Sequence, residues 1–381
     1  MKVEFYRHEL GKKEALEVKD TLRSLFLTTG PKTEEFERRF ASYLETSRCL
    51  GVTSWTMGNF ITLKALGIGP GDKVITPPLT YVATANTILH VGAEPVFVDV
   101  DPVTGNLEPE AVQEALARED GVKAVIVVHL YGQMADMQAL RTVTQKNDAF
   151  LLEDCAHCVE GVRDGIRPGG ASDAAVFSFY ATKNLTCGEG GAVASNDEKL
   201  IERLQPLRLH GVDTYAKDQR CGSVYRHWDM TTLGYKCNMH DLSASFLLPQ
   251  LNELENRRLK REKLCKRYDE RLGELDDVET IPVVPDSTHA HHLYTIRTAP
   301  ERRDYVLTEL SRRGVGVGVN FRAVHLMQYY RERYGFEEGA FPVAEEIGAS
   351  TVSLPLYPSL QEEELDYVTD TLKEVLRSDG A

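Results

Sequence analysis

No apolar run in this 381-residue sequence approaches the ~20 residues that a membrane-spanning helix needs. The first residues, Met1-Lys2-Val3-Glu4-Phe5-Tyr6-Arg7-His8, lack the apolar core of a secretory signal, so a cytoplasmic protein without a membrane partner is expected. Basic side chains are also in deficit: 44 Lys and Arg face 58 Asp and Glu, a formal charge of −14. That balance argues against nucleic acid as a partner, and an anionic ligand must then be gripped by local donors. Cysteine is sparse, odd in number at seven and irregularly spaced, which excludes a disulfide framework and fits a reducing compartment. The pair Cys155-x-x-Cys158 would need a second such pair to build a zinc site. None is present, so no metal is expected and small buried cysteines are the better reading. Low-complexity segments and internal repeats are absent as well.

What is present is 42% hydrophobic content in a chain long enough for two domains at roughly 150 residues each. Short, nearly continuous apolar runs at 74–76, 96–98, 124–128 and 150–152 read as buried parallel strands. Helical stretches of crossover length lie between them, at 81–90, 109–117 and 137–145. This alternation predicts an α/β fold with a doubly wound, mostly parallel sheet covered by helices on both faces. One long polar helix is predicted over 241–272. Shorter mixed elements follow it: a strand at Tyr294–Arg297, a helix at 302–313, a strand at 315–319 and a helix at 361–377. The division expected is a large α/β domain with an N-terminal arm over residues 1–257 and a small α+β domain over 258–381.

Three motifs carry chemistry. In Phe177-Ser178-Phe179-Tyr180-Ala181-Thr182-Lys183, the lysine sits between a strand ending at Ser178 and the cluster Gly188-Glu189-Gly190-Gly191, where backbone can approach a ligand closely. A Schiff-base lysine needs such a place, with its amine kept neutral by desolvation or cationic neighbours while a nearby serine holds a phosphate. The second motif is Glu153-Asp154-Cys155-Ala156-His157, directly after an apolar strand. A carboxylate there points into the crevice where ligands of open α/β sheets bind, though capping of the next helix is an equal reading. The third, Gly51-Val52-Thr53-Ser54-Trp55-Thr56-Met57, runs from a strand into the helix 61–66. Hydroxyls and free N–H groups at such a start hold anions, although an ordinary N-cap is the commoner use.

The order of these motifs resembles the DegT/StrS group of fold-type I, pyridoxal-phosphate-dependent sugar aminotransferases. The resemblance runs nearly end to end, through Thr28-Thr29-Gly30-Pro31, Thr80-Tyr81-Val82-Ala83-Thr84, Tyr131-Gly132-Gln133, Gly234-Tyr235-Lys236-Cys237-Asn238, Asn320-Phe321-Arg322-Ala323-Val324-His325 and Leu354-Pro355-Leu356-Tyr357-Pro358. The Phe-Arg-Ala-x-His and Tyr-Lys-x-Asn stretches look closest to the bacterial UDP-4-amino-4-deoxy-L-arabinose aminotransferases.

The resemblance implies a fold-type I aminotransferase with a smaller C-terminal domain and a set of roles. Lys183 bonds pyridoxal 5′-phosphate and Asp154 pairs with its ring nitrogen. Tyr81 stacks on the ring and His157 packs beside it. Ser54, Trp55, Thr56 and Ser178 hold the phosphate. Asn238 reaches that phosphate from the neighbouring subunit of a homodimer; many relatives carry Arg there, so here an amide replaces a charge. Thr29, Arg322 and His325 fall to the substrates, the latter two as cations for a carboxylate or diphosphate, with a surface pair as the plain alternative. The activity implied is transfer of an amino group from L-glutamate, through the pyridoxamine form, to a nucleotide-linked keto sugar. C4 of a UDP-4-keto sugar is the specific expectation, in polysaccharide, lipid A or amino-sugar biosynthesis, with the loop 211–231 tuning the choice. Sugar dehydratases of the group replace this lysine with histidine, and a sensory protein on the same fold would be expected to lose the lysine or the acid. Both residues are present.

Overall fold

The computed structural model describes residues 1–212 and 227–378, so most of the loop 211–231 lies outside the described residues. Strands β1 (Arg48–Val52), β2 (Lys73–Thr76), β3 (Glu94–Phe97), β4 (Val122–Val128) and β5 (Phe150–Asp154) belong to the main sheet. A two-residue β6 (Val162–Arg163) pairs elsewhere; β7 (Ala174–Ser178) and β8 (Gly191–Ser195) complete the sheet. The order is β1-β8-β7-β5-β4-β2-β3, and β8 alone runs antiparallel to its neighbours. Parallel strands covered on both faces should be apolar throughout. β7 and β8 are buried at every position, and Val125, Ile126 and Leu151 are fully enclosed.

The predicted helix 241–272 is two helices. Asp241–Leu251 is largely apolar and buried; Leu254–Leu272 is the polar one. Pro249 lacks the N–H that would continue the ladder, and the chain turns at Asn252 and Glu253 before restarting. The helix read at 61–66 begins earlier, at Trp55. The strand predicted at 315–319 is reduced to isolated pairings of Val315 with Val3 and of Gly318 with Ser353. Helices Lys12–Arg23 and Pro31–Leu44 were not foreseen.

A second core gathers Leu264, Tyr268 and Leu272 with Ile296, Val352 and Leu372 around a small antiparallel sheet. Val3 is buried in this core, although some 260 residues separate it from Leu264. The polar helix is also tied to the main sheet. Arg261, 2% exposed, meets the fully buried Glu160 at 2.6 Å, and Glu160 also accepts a hydrogen bond from Asn184 at 3.0 Å. Removing the negative charge from this pair leaves a buried guanidinium uncompensated, which typically costs about 3–5 kcal/mol. Glu160→Gln should therefore lower unfolding stability in urea by that order, and a loss under about 1 kcal/mol would show that Arg261 is solvated after all.

Candidate active site

The parallel strands deliver the site by ending together. Asp154 is the last residue of β5 and Ser178 the last of β7, while Ser54 follows β1 and opens the helix Trp55–Ala65. Because β8 is antiparallel, its first residue, Gly191, lies opposite Ser178 at the same edge. A Cβ on Gly191 would stand 2.5 Å from the carbonyl carbon of Ser54 and 2.7 Å from the Trp55 nitrogen. Only a glycine lets this strand meet the helix start so closely. Ser54, Trp55, Asp154 and Ser178, with Thr56, Tyr81, His157 and Lys183, line one cavity of about 470 Å³.

Desolvation dominates the electrostatics there. Burial pushes the Lys183 amine down to about 8, with the charge of Asp154 pulling it back up. Burial raises the Asp154 carboxyl, while hydrogen bonds from the Ala156 N–H (3.1 Å) and the Thr84 hydroxyl (2.8 Å) oppose the rise. Each of its oxygens accepts one such bond, so lone pairs remain for a further donor.

The neighbouring imidazoles are neutral, since burial and then nearby positive groups hold both His157 and His292 well below the ordinary histidine range. His157 accepts at Nδ1 from the Tyr131 N–H (3.3 Å), which assigns its proton to Nε2. Asn184 directs its amide N–H bonds to Glu160 and the Ala290 carbonyl, so its oxygen faces Nδ1 of His292 at 3.2 Å. His292 is thereby assigned its proton on Nδ1. The two rings lie 4.4 Å apart, and His157 stacks on Phe321 at 5.6 Å and 24°.

The cavity suits a flat cation carrying a phosphate. Ser54 caps the helix by accepting from the Met57 N–H at 3.1 Å, and the first N–H groups of that helix have no intrahelical partner. The indole N–H of Trp55 is buried and unpartnered among the described residues. Asp154 offers a buried acceptor for a ring N–H, and Lys183 offers an amine whose pKa is lowered to about 8, far closer to neutrality than an ordinary lysine. Pyridoxal phosphate needs this donor set.

Four expected site residues lie elsewhere. His325 is fully buried and cannot touch substrate: its ring packs 4.7 Å from Phe341 and its Nε2 pairs with Glu345 at 2.9 Å. Glu345 also accepts from the N–H groups of Gly339 and Phe341, so this histidine helps fix a turn. Burial lowers its basicity, against the pull of Glu345. Its neighbours Ala323, Val324, Leu326 and Met327 are apolar but not aromatic, so they give no sign of the Phe97, Phe336 and Phe341 rings around it. Arg322 is exposed, bonds the Leu326 carbonyl at 3.3 Å and does not line the cavity. Thr29 and Asn238 pair with each other at 2.7 Å, outside the cavity lining of their own chain. Sequence reasoning missed Thr84, Asn184, His292 and the arm residues Phe5 and Tyr6. Thr84 alone had a signal, one turn after Tyr81 and facing the same way.

Comparison with known proteins adds independent findings. Residues 8–373 match the DegT/DnrJ/EryC1/StrS aminotransferase family. The spore coat polysaccharide biosynthesis protein SpsC of Bacillus subtilis is 39% identical over 373 residues, 97% of this chain and 95% of that protein. The putative sugar aminotransferase Spr1654 of Streptococcus pneumoniae, in its PMP form, superposes with a TM-score of 0.91 at 31% identity, covering 98% of both chains. NtdA of Bacillus subtilis with bound PMP superposes at 0.86 and 28% identity, over 99% of this chain and 86% of that one. The chain belongs to the DegT/DnrJ/EryC1/StrS aminotransferase family and is a pyridoxal-phosphate-dependent transaminase.

The opposing influences on Lys183 give a signed expectation. Desolvation lowers its pKa and Asp154 raises it, so Asp154→Asn should move the midpoint below about 8 and leave more neutral amine at a given pH. Mass-mapped modification of Lys183 by an amine reagent across pH, in cofactor-free protein, reads this directly. An unchanged or higher midpoint would mean that the two groups do not interact.

Proposed function

Starting from that family membership, we propose that this chain transfers an amino group from L-glutamate to a nucleotide-linked keto sugar, at C4 of a UDP-4-keto sugar. The observation that carries the reading is a single cavity holding a desolvated lysine, a buried carboxylate and an anion-ready helix start. Sugar transamination itself is supported by the relatives, one named for polysaccharide biosynthesis and another as a sugar aminotransferase. The UDP group and C4 rest on the Phe321-Arg322-Ala323-Val324-His325 and Tyr235-Lys236-Cys237-Asn238 stretches.

Bound pyridoxal phosphate supplies an electron sink for negative charge at the Cα of the amino donor. The chain supplies the rest. The N-terminal N–H groups of the helix Trp55–Ala65, with Ser54, Thr56 and Ser178, hold phosphate oxygens. Asp154 keeps positive charge at the ring nitrogen, and Thr84 and the Ala156 N–H keep that carboxylate in place. Tyr81, 61% exposed at the cavity, covers one ring face, and His157 stands beside it as a neutral, oriented group. Lys183 Nζ would take the Cα proton of the donor and hand it to the cofactor, and in the reverse sequence would take it back and hand it to the carbon that receives nitrogen. A base poised near 8 can both take and give a proton close to neutrality.

A second copy of the chain completes the site in this reading, as a two-fold homodimer in which Asn238 and Thr29 approach the neighbouring phosphate and substrate. Arg322 is the exposed cation proposed for the substrate diphosphate. No described helix is long and apolar enough to cross a membrane.

Reduction with borohydride should label Lys183 alone, and Lys183→Ala should abolish both half-reactions. A label on another lysine would overturn the assignment. In the pyridoxamine form, a panel of UDP-, dTDP- and GDP-linked 4-keto sugars should regenerate the aldehyde absorbance with the UDP sugar. Reaction only with dTDP or GDP sugars would remove the UDP reading and leave sugar transamination standing.

A further inference from the structure

We propose that Phe5 and Tyr6, on the N-terminal arm, form a wall of the cavity that recognises the hexose ring of the acceptor and takes no part in binding the amino donor. The inference rests on the function proposed above and concerns residues distant in sequence from every motif in it.

Both side chains line the same cavity as Lys183 and Asp154. They are held there from two sides. Upstream, Val3 is 1% exposed and pairs in parallel with Val315; its N–H donates to the Gly314 carbonyl and its carbonyl accepts from the Gly316 N–H, both at 2.8 Å. Downstream, Arg7 lies over the Tyr357 ring at 5.5 Å and 3.6 Å from Glu364. The Glu9 carboxylate accepts from Ser359 at 2.6 Å, and its carbonyl from Arg257 at 3.2 Å. The surface beneath the arm is built for it: a Cβ on Gly316 would stand 2.4 Å from the Phe5 nitrogen. Such fixation at both ends exceeds what a fraying terminus needs.

Core packing does not explain the result, because Tyr6 remains 42% exposed while Val3 beside it is buried. A tethered, exposed aromatic on a cavity is pre-organised contact area with little left to order on binding. The ligand choice follows from chemistry. Glutamate offers two carboxylates and needs cations, but on the arm Lys2 pairs with Glu4 and Arg7 is engaged by Glu364 and Tyr357. A sugar ring offers a face of C–H groups, which suits the negative faces of aromatic rings. A further aromatic, Phe321, is set in the same cavity, where the Tyr131 hydroxyl holds the adjacent Asn320 carbonyl.

The test uses the full-length holoenzyme and follows the two half-reactions separately by cofactor absorbance. The sugar arm uses whichever of the UDP-, dTDP- and GDP-linked 4-keto sugars reacts fastest with the wild type. Tyr6→Ala should raise the apparent KM for that sugar about tenfold and leave the glutamate half-reaction within about twofold. Tyr6→Phe, which keeps the ring, should restore the wild-type value, and Gly316→Val, which displaces the arm, should reproduce the loss. An unchanged sugar KM in Tyr6→Ala overturns the inference. So does an equal loss in both half-reactions with a lowered melting temperature, since the arm would then be only structural. Wild-type enzyme that reacts with glutamate but with none of the three sugars removes the functional reading beneath it, a result distinguishable from either of these.

Discussion

An ammonium group withdrawn from water loses hydration that no single carboxylate restores, and the electrostatics of the cavity are organised around that cost at Lys183. Burial brings the amine down to about 8, and Asp154 limits the fall. The surroundings avoid adding charge. His157 and His292 are neutral, and both face the lysine's field as dipoles rather than ions. A buried ion pair, Arg261 with Glu160, is joined to the lysine's loop through the amide of Asn184, the next residue in the chain. An amide can transmit position without transmitting charge. The loop carrying the amine is thus held firmly while its basicity is left to desolvation.

Geometry follows from one topological choice. A wholly parallel sheet would bring only carboxyl ends to the crevice. Reversing β8 brings an amino end, Gly191, to that edge as well, where it can lie against the start of the helix Trp55–Ala65. Acceptor, hydroxyl and free N–H groups converge because strand ends do, and no loop has to be ordered to bring them together.

Much of this was legible in the sequence, for identifiable reasons. Parallel strands buried on both faces leave continuous apolar runs, and polar residues at strand ends follow such runs immediately, so the cavity positions of Asp154 and Ser178, and of Lys183 just beyond, could be read in order. The helix 241–272 was misread because periodicity and charge looked past the missing N–H of Pro249. The apparent strand 315–319 failed for the opposite reason. Its alternating Gly and Val have the right period, but the glycines serve to admit the arm rather than to build a ladder. His325 shows the limit of motif transfer. A histidine in a matched motif says nothing of the aromatic shell closed around it by Phe97 on β3 and by Phe336 and Phe341 further along the chain.

The least legible feature was the partnership between the two ends of the chain, because nothing local distinguishes Val3 from any other terminal residue. Its consequences reach the site. The C-terminal core both anchors the arm through Val3 and, through Arg261, braces the loop of Lys183. One packed unit therefore supports the Lys183 loop from behind and the proposed aromatic wall from the side. A shift of that unit relative to the main sheet would move both together, which is the arrangement required if the acceptor ring is to meet the amine in a fixed orientation.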